Sequence, residues 1–310
     1  MRRLDFPSLF SDALTVFIGQ TGEYGMSIFS GIWIPLVTPF ANGRVDHDAL
    51  RGLVRSYIEA KVAGFVALGT TGEPSSLDHA EQEQVLATIL DAAKDLPVVI
   101  GLAGNNALEL RERVLRLNEL PLAGLLVPAP YYVRPSQAGL LSHFTTLADI
   151  SASPLVVYDI PYRTGVQLDI ATLLALAGHP NIHAIKDCAG PLETTLALIL
   201  DGRLSVLAGE DLNMFSTLCL GGHGAIAASA HVRAADFVAV YRAIKDGRID
   251  EGRERFHRLV PLIQALVSEP NPAPVKCALE VLGMIRQELR APMTPATEQL
   301  RHQLEVLLSS

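Results

Sequence analysis

Cysteine is scarce, positive charge is in deficit and long apolar runs are missing, and each shortage removes a class of function. The three cysteines, Cys188, Cys219 and Cys277, stand far apart with no CxxC spacing. That leaves neither a disulfide framework nor a zinc knuckle and points to a reducing cytoplasm. Acidic residues outnumber basic ones by 33 to 25, giving a formal net charge of −8 and a pI near 5.6. A chain that grips a phosphate backbone shows the opposite bias, so no nucleic acid is expected and a small-molecule partner is. No stretch approaches the roughly 20 apolar residues needed to span a bilayer, so no membrane partner is expected either. Arg2 and Arg3 precede a short apolar patch from Ala13 to Ile18, too short for a signal peptide and followed by no small-x-small cleavage site. Among nine histidines the close pairs are His179/His183 and His223/His231. Neither has an Asp, Glu or Cys beside it to complete a metal site, and no metal or other cofactor is expected.

What the chain does have is apolar content, 49% of its residues, spread evenly enough to build one large core. From Ile32 onward, short β-branched runs alternate with amphipathic stretches, the pattern of repeated βα units and a parallel sheet. Strands are predicted at Ile32–Val37, Phe65–Leu68, Val98–Gly101, Gly124–Val127, Leu155–Tyr158, His183–Lys186, Ser205–Leu207 and Ala225–Ala227. Between them, Asp46 precedes the periodic set Leu50, Leu53, Val54, Tyr57 and Ile58, and Asp78 opens a helix with Val85, Leu86, Ile89 and Leu90 on one face. Eight such units predict an α/β fold of the (β/α)8 TIM barrel type, with the site at the C-terminal strand ends. A doubly wound open sheet would show Gly-x-Gly-x-x-Gly after its first strand, whereas Ile32–Val37 runs into Thr38-Pro39-Phe40. After Gly247 only helices are predicted, at Asp250–Val267, Pro274–Leu282 and Thr297–Leu308. The organisation expected is an N-terminal extension over 1–27, disordered or loosely attached, a barrel over 28–248 and a C-terminal helical extension over 249–310.

In a barrel, the residues just past each strand end are the ones that can carry chemistry. Strand two ends in Gly69-Thr70-Thr71-Gly72-Glu73, whose hydroxyls and backbone N–H groups suit a carboxylate, or equally an N-cap. Strand four ends in Pro128-Ala129-Pro130-Tyr131-Tyr132, placing two phenols at the mouth, and Tyr158 closes strand five with Arg163 five residues on. Strand six ends in Ala184-Ile185-Lys186-Asp187. A lysine closing an apolar run points into the barrel top, where desolvation would lower its pKa toward the range of about 7 to 8 that suits an amine nucleophile. A salt bridge or phosphate contact is the alternative use of Lys186. Gly221-Gly222-His223-Gly224 reads either as a phosphate grip or as a tight turn.

Taken together and in order, these words resemble one family. Gly69-Thr70-Thr71-Gly72-Glu73, Pro130-Tyr131-Tyr132 with Arg134-Pro135-Ser136, Tyr158-Asp159-Ile160-Pro161-Tyr162-Arg163-Thr164-Gly165 and Ile185-Lys186-Asp187 are followed by Gly221-Gly222-His223-Gly224, Asn271-Pro272-Ala273-Pro274-Val275-Lys276 and Pro292-Met293-Thr294-Pro295. The set resembles the dihydrodipicolinate synthase / N-acetylneuraminate lyase superfamily from about Gly31 to the C-terminus, and within it the dihydrodipicolinate synthase branch. The resemblance implies a lyase that condenses pyruvate with aspartate semialdehyde through a Schiff base on Lys186. Tyr158 would shuttle protons, Thr70 would link it to Tyr132, and Tyr132 would come from the neighbouring subunit of a tight dimer within a homotetramer. Thr71 would hold the pyruvate carboxylate, Arg163 the carboxylate of the aldehyde, and the backbone around Gly209 and Ile226 would line the pocket. The competing reading is another pyruvate-dependent aldolase or dehydratase of the superfamily, acting on a sugar acid or a 4-hydroxy-2-oxo acid.

Two departures stand out. Asp159 occupies a position where the family usually has Asn, adding a charge next to Tyr158 that would raise the phenol pKa if it faced the site. His79, Asn105, Glu109 and Tyr131 match an allosteric lysine site of the family, while Pro74, Ser75 and Gln82 replace residues that usually complete it, so at most weak inhibition by lysine is expected.

Overall fold

The computed structural model describes residues 28–309, so the expected N-terminal extension over 1–27 lies outside the described residues. Eight parallel strands close into a barrel: β1 (Gly31–Pro35), β2 (Gly64–Ala67), β3 (Val98–Gly101), β4 (Gly124–Pro128), β5 (Leu155–Asp159), β6 (Ile182–Asp187), β7 (Ser205–Ala208) and β8 (Gly224–Ile226). Each pairs with its sequence neighbours, and β8 returns to β1 through Gly31↔Gly224 and Trp33↔Ile226. The predicted strands all form, within one or two residues at their ends.

Side chains alternate across each strand, as the pleat requires. Trp33, Val66, Val99, Leu126, Val156, Tyr158, Ala184, Leu207 and Ile226 fill the interior. Ile34, Phe65, Ile100, Val127, Val157, Ile185 and Val206 face the helices in the larger core. Phe29 and Trp33, each 1% exposed, close the floor with their rings 6.0 Å apart. Burial of both large rings makes the lower barrel solid, leaving only the upper mouth for a ligand.

The helices around the barrel are α1 (His47–Glu59), α2 (His79–Ala93), α3 (Ala107–Leu117), α4 (Gln137–Ile150), α5 (Pro161–Thr164), α6 (Ile170–Ala177), α7 (Leu192–Asp201), α8 (Met214–Cys219) and α9 (Ala234–Lys245). The two sequence signals for helix starts hold: the Asp46 carboxylate accepts from Ala49 N–H, and Asp78 and Glu81 form a reciprocal capping box on α2. α2 therefore starts at its own cap, and Thr70–Gly72 is a separate 3-10 turn rather than the cap of that helix.

A short antiparallel hairpin, Phe40–Ala41 with Arg44–Val45, was not anticipated. Its signal was present as Asn42-Gly43, both at positive φ (54° and 76°), the pair that a two-residue hairpin turn favours. Gly221–Gly224 leads into β8, at the barrel floor and away from the mouth. Gly222 packs against Thr217 and Gly224 against Gly31, where any Cβ would collide. The tight-turn reading holds there and the phosphate grip does not.

The C-terminal extension consists of α10 (Ile249–Leu266), α11 (Ala273–Val281) and α12 (Glu298–Ser309), each displaced by one residue from its predicted span. It is tied to the mouth of the barrel rather than simply resting on its side. Lys276 of α11, fully buried, pairs with Glu73 at 2.5 Å, donates to Glu288 O at 2.9 Å and lies over the Phe40 ring. Among the described residues no helix is long and apolar enough to cross a membrane.

Candidate active site

Register places the chemistry in one row. Pro128, Tyr158, Lys186 and Leu207 are successive partners across β4, β5, β6 and β7 near their C-terminal ends. Because inward positions recur every second residue, Tyr158 and Lys186 both point inside, and Lys186 Nζ donates to Tyr158 Oη at 3.3 Å while sitting 4.3 Å above the ring centroid. They are 6% and 7% exposed. Gly209, just past β7, makes room for this contact. Its N–H donates to Asp187 O at 2.9 Å, and a Cβ there would strike Cys188 Sγ and come within 2.9 Å of the Lys186 side chain. Ile226, on the neighbouring strand β8, lines the barrel interior and is 2% exposed.

Burial raises the Tyr158 pKa, against the pull of the nearby Lys186 charge and the hydrogen bonds from Lys186 and Thr70. For Lys186 burial works downward, but the charges that Tyr158, Cys188 and Asp211 would carry, together with the Tyr158 hydrogen bond, outweigh it and leave the amine above its ordinary value. The expectation that desolvation would bring this lysine to near neutrality is therefore corrected. Whichever of the two holds the shared proton, Lys186 must be without it when it attacks a carbonyl. Because the two groups interact this closely, they titrate as a pair.

Thr70 and Thr71 leave the barrel on the turn after β2. The Thr70 side chain reaches the Tyr158 phenol, and Thr71, 4% exposed, accepts at Oγ1 from Asn271 Nδ2 at 3.0 Å. A cavity of about 440 Å³ opens beside the Pro128–Tyr158 end of this row, lined by Thr70, Leu126, Pro128, Tyr131, Tyr158, Ile160 and Arg163 among others, with Lys186 buried behind Tyr158 rather than in its wall. Arg163 has no ion pair among the described residues, although its guanidinium lies 5.8 Å from the Tyr162 ring centroid, so a fork-shaped donor is available at the rim.

Tyr132 is not brought to the site of its own chain. It is 90% exposed at φ 70°, held outward by its N–H to Thr164 O. His79 and Tyr131 line neighbouring cavities, whereas Asn105 and Glu109 are exposed at the start of α3, so one chain does not gather the four into a pocket. Among the described residues no cluster of His, Cys, Asp and Glu has a metal-binding arrangement.

Asp159 faces away from Tyr158. As the outward neighbour in β5 it accepts from Leu168 N–H at 3.4 Å, and its Oδ2 is buried without a partner. It does not add charge to the phenol's surroundings. Burial, reinforced by Asp187 and opposed by the Leu168 bond, lifts its pKa from 3.8 to about 7. Between about pH 4 and 7 the folded chain thus keeps a proton that the unfolded chain has released, and stability falls as pH rises through that window. Asp159→Asn should gain about 2 to 3 kcal/mol more over the parent protein at pH 8 than at pH 5 in urea unfolding. An equal gain at both pH values would show that Asp159 is ionised throughout.

Sequence reading missed the residues behind the row. Asp211, 6% exposed, accepts from Ala228 and Ser229 N–H and contributes to the field at Lys186. Glu210 accepts from the Tyr162 hydroxyl at 3.0 Å. Both follow the end of β7, the place a barrel puts functional residues, and that position was the available signal.

Comparison with known proteins agrees with this geometry. Residues 28–310 match the model of the dihydrodipicolinate synthetase family. The chain is 36% identical over 282 residues to 4-hydroxy-tetrahydrodipicolinate synthase 2 of Clostridium acetobutylicum, covering 90% of this chain and 99% of that one. It is 37% identical over 286 residues to the 4-hydroxy-tetrahydrodipicolinate synthase of Syntrophus aciditrophicus, covering 91% and 98%. Among solved structures, dihydrodipicolinate synthase from Thermotoga maritima aligns with a TM-score of 0.88 at 32% identity over 91% of this chain and 98% of its own. The chloride-inhibited enzyme of Acinetobacter baumannii, solved with pyruvate, aligns with a TM-score of 0.87 at 34% identity, covering 90% and 98%.

Proposed function

This chain belongs to the dihydrodipicolinate synthetase family, and from that premise we propose that it is a lyase condensing pyruvate with aspartate semialdehyde to give 4-hydroxy-tetrahydrodipicolinate. The contact between the Lys186 amine and the Tyr158 phenol carries the reading. A salt bridge or phosphate contact for Lys186 finds no support, because its bonded partner is a buried phenol and no phosphate grip lies at this end.

The chemistry follows from what the residues can do. Pyruvate enters with its carboxylate on the Thr71 turn, and Lys186, once it has lost a proton, adds through Nζ to the ketone carbon. The resulting carbinolamine loses its oxygen as water, with Tyr158 delivering the proton, and the imine nitrogen draws electrons from the methyl carbon as that carbon loses a proton. The enamine carbon then attacks the aldehyde, forming a carbon–carbon bond, and the new alkoxide takes a proton. The amino group of the former semialdehyde displaces Lys186 from the imine carbon, closing the ring and freeing the lysine. Thr70, in contact with the phenol, passes protons to and from it, while Gly209 leaves room beside Lys186 and Ile226 lines the interior.

Arg163 belongs to the second substrate. Its guanidinium matches a carboxylate bidentately at the rim of the cavity. Arg163→Ala is expected to leave pyruvate-dependent imine trapping intact and to raise the KM for aspartate semialdehyde by about 10- to 100-fold. A coupled assay across a panel of aldehydes tests both points. Unchanged use of aspartate semialdehyde, or faster turnover of a sugar-acid aldehyde, would move the assignment to the other pyruvate lyases of the superfamily.

We further read the active form as a homotetramer made of two tight dimers, in which the outward Tyr132 completes the Thr70–Tyr158 hydroxyl chain of a partner. Tyr132 at 90% exposure, next to Val133 at 58%, and the stripe Leu192, Leu196 and Leu200 along α7 are apolar surfaces of the sort a partner covers. With Asn105 and Glu109 exposed on one chain, a regulatory lysine site formed with His79 and Tyr131 would need that dimer. Gln82 Nε2 is already engaged with Pro74 O and Leu77 O, which favours weak inhibition by lysine at most. Three free thiols, two of them buried, favour a reducing compartment such as the cytoplasm.

A further inference from the structure

The turn that cradles the substrate carboxylate is held by the C-terminal extension at three points. Asn271 Nδ2 donates to Thr71 Oγ1 at 3.0 Å, Lys276 pairs with Glu73 at 2.5 Å, and Arg290 donates to Ser76 O at 2.8 Å while forking onto Glu81. Some 200 residues separate Thr71 from Asn271. The other two ties grip Glu73, Ser76 and Glu81 farther along the segment, whereas the first acts on the hydroxyl assigned above to the keto-acid carboxylate.

We propose that Asn271 is a positioning residue for the reaction: it fixes the Thr71 hydroxyl as a hydrogen-bond donor aimed at the carboxylate of the keto acid. The proposal rests on the reading of Thr71 as the carboxylate holder. A threonine hydroxyl offers one proton and two lone pairs, and its proton rotates to whichever acceptor is nearest. Buried threonines commonly spend that proton on a backbone carbonyl nearby, as Thr164 does on Ile160 O and Thr38 on Gly72 O. Thr71 does not. Among the described residues its hydroxyl has no acceptor, and Asn271 occupies a lone pair, so the proton is left for an incoming anion. An amide that donates to the hydroxyl also polarises it, strengthening the bond it makes in turn.

Asn271 can do this because its own place is fixed. It immediately precedes Pro272 at the start of α11, where Lys276 N–H closes onto Pro272 O and the Lys276 side chain is anchored on Glu73, two residues from Thr71. The hydroxyl and the amide that orients it are therefore set by one rigid joint, and the extension becomes part of the apparatus for binding pyruvate.

The test is a double-mutant cycle read on the first half-reaction alone, with borohydride trapping of the pyruvate imine measured against pyruvate concentration. Asn271→Leu keeps size and removes the donor, and Thr71→Val removes the hydroxyl. Asn271→Leu should raise the half-saturating pyruvate concentration by about 3- to 10-fold, with trapping at saturation unchanged. Thr71→Val should raise it at least as much, and the double variant should match Thr71→Val. If Thr71→Val shifts the half-saturation and Asn271→Leu does not, or if the two effects multiply, the positioning role is wrong while the Thr71 reading stands. If Thr71→Val itself shifts nothing, the carboxylate reading falls and takes the proposal with it. A purely structural role for Asn271 would lower the unfolding midpoint and the fraction of trappable sites without moving half-saturation. Should Asn271→Leu not fold, Asn271→Ser, too short to reach Thr71, supports the same comparison.

Discussion

Tyr158→Phe is expected to lower kcat by about 10²- to 10⁴-fold, the loss typical of removing a positioned acid–base group. The ring is buried inside the barrel between β4 and β6, so phenylalanine fills the same space and the fold should be kept. What disappears is the hydroxyl at 3.3 Å from Lys186 Nζ, the one group bonded to the amine among the described residues. Since the amine must be free of its proton when it attacks and the carbinolamine must lose water, both steps lose their proton carrier together. Steady-state rates at saturating pyruvate and aldehyde, with circular dichroism as a control for folding, decide it. A loss of less than tenfold would mean that water or Thr70 moves the protons and Tyr158 only packs.

The second large effect is on stability. Lys276→Met should destabilise the protein by about 3 to 5 kcal/mol, because it leaves Glu73 buried without its counter-charge. Burial pulls the Lys276 pKa down and Glu73 holds it up, so the pair survives inside the fold only as a pair. Adding Glu73→Gln to Lys276→Met should recover part of the loss, since the unpaired charge then goes too. Urea unfolding of the two single variants and the double variant measures the coupling. Additive losses would show that the two side chains act separately and that the extension is not locked to the mouth through them.

How much of this could be read from the sequence depended on the range of the interactions involved. The eight strands were legible because each is a short apolar run whose alternation is local, and Lys186 and Tyr158 were legible because each closes such a run. The Asn42-Gly43 hairpin is equally local, its turn signal standing in a segment assigned no element from the sequence. Asn271, Lys276 and Arg290 were not legible as parts of the site. Their partners on the Thr71–Glu81 segment lie about 200 residues away, and no periodicity joins a turn after β2 to the start of α11. The direction of Asp159 follows from alternation once Tyr158 is taken as inward, so a stricter use of the two-residue period would have turned it outward. The lysine pKa differs from expectation for another reason: only burial enters a reading of one strand, whereas the facing phenol and the Asp211 carboxylate come from other strand ends that the closed barrel brings to Lys186.

The central claim is covalent, that Lys186 forms an imine with the keto acid. Borohydride added with pyruvate should reduce that imine, raise the mass of each chain by one reduced pyruvyl group, and place the modification on the peptide containing Lys186. Lys186→Arg should give no adduct. A modification on Lys276, or an unmodified chain from a protein that still turns pyruvate over, would contradict the mechanism.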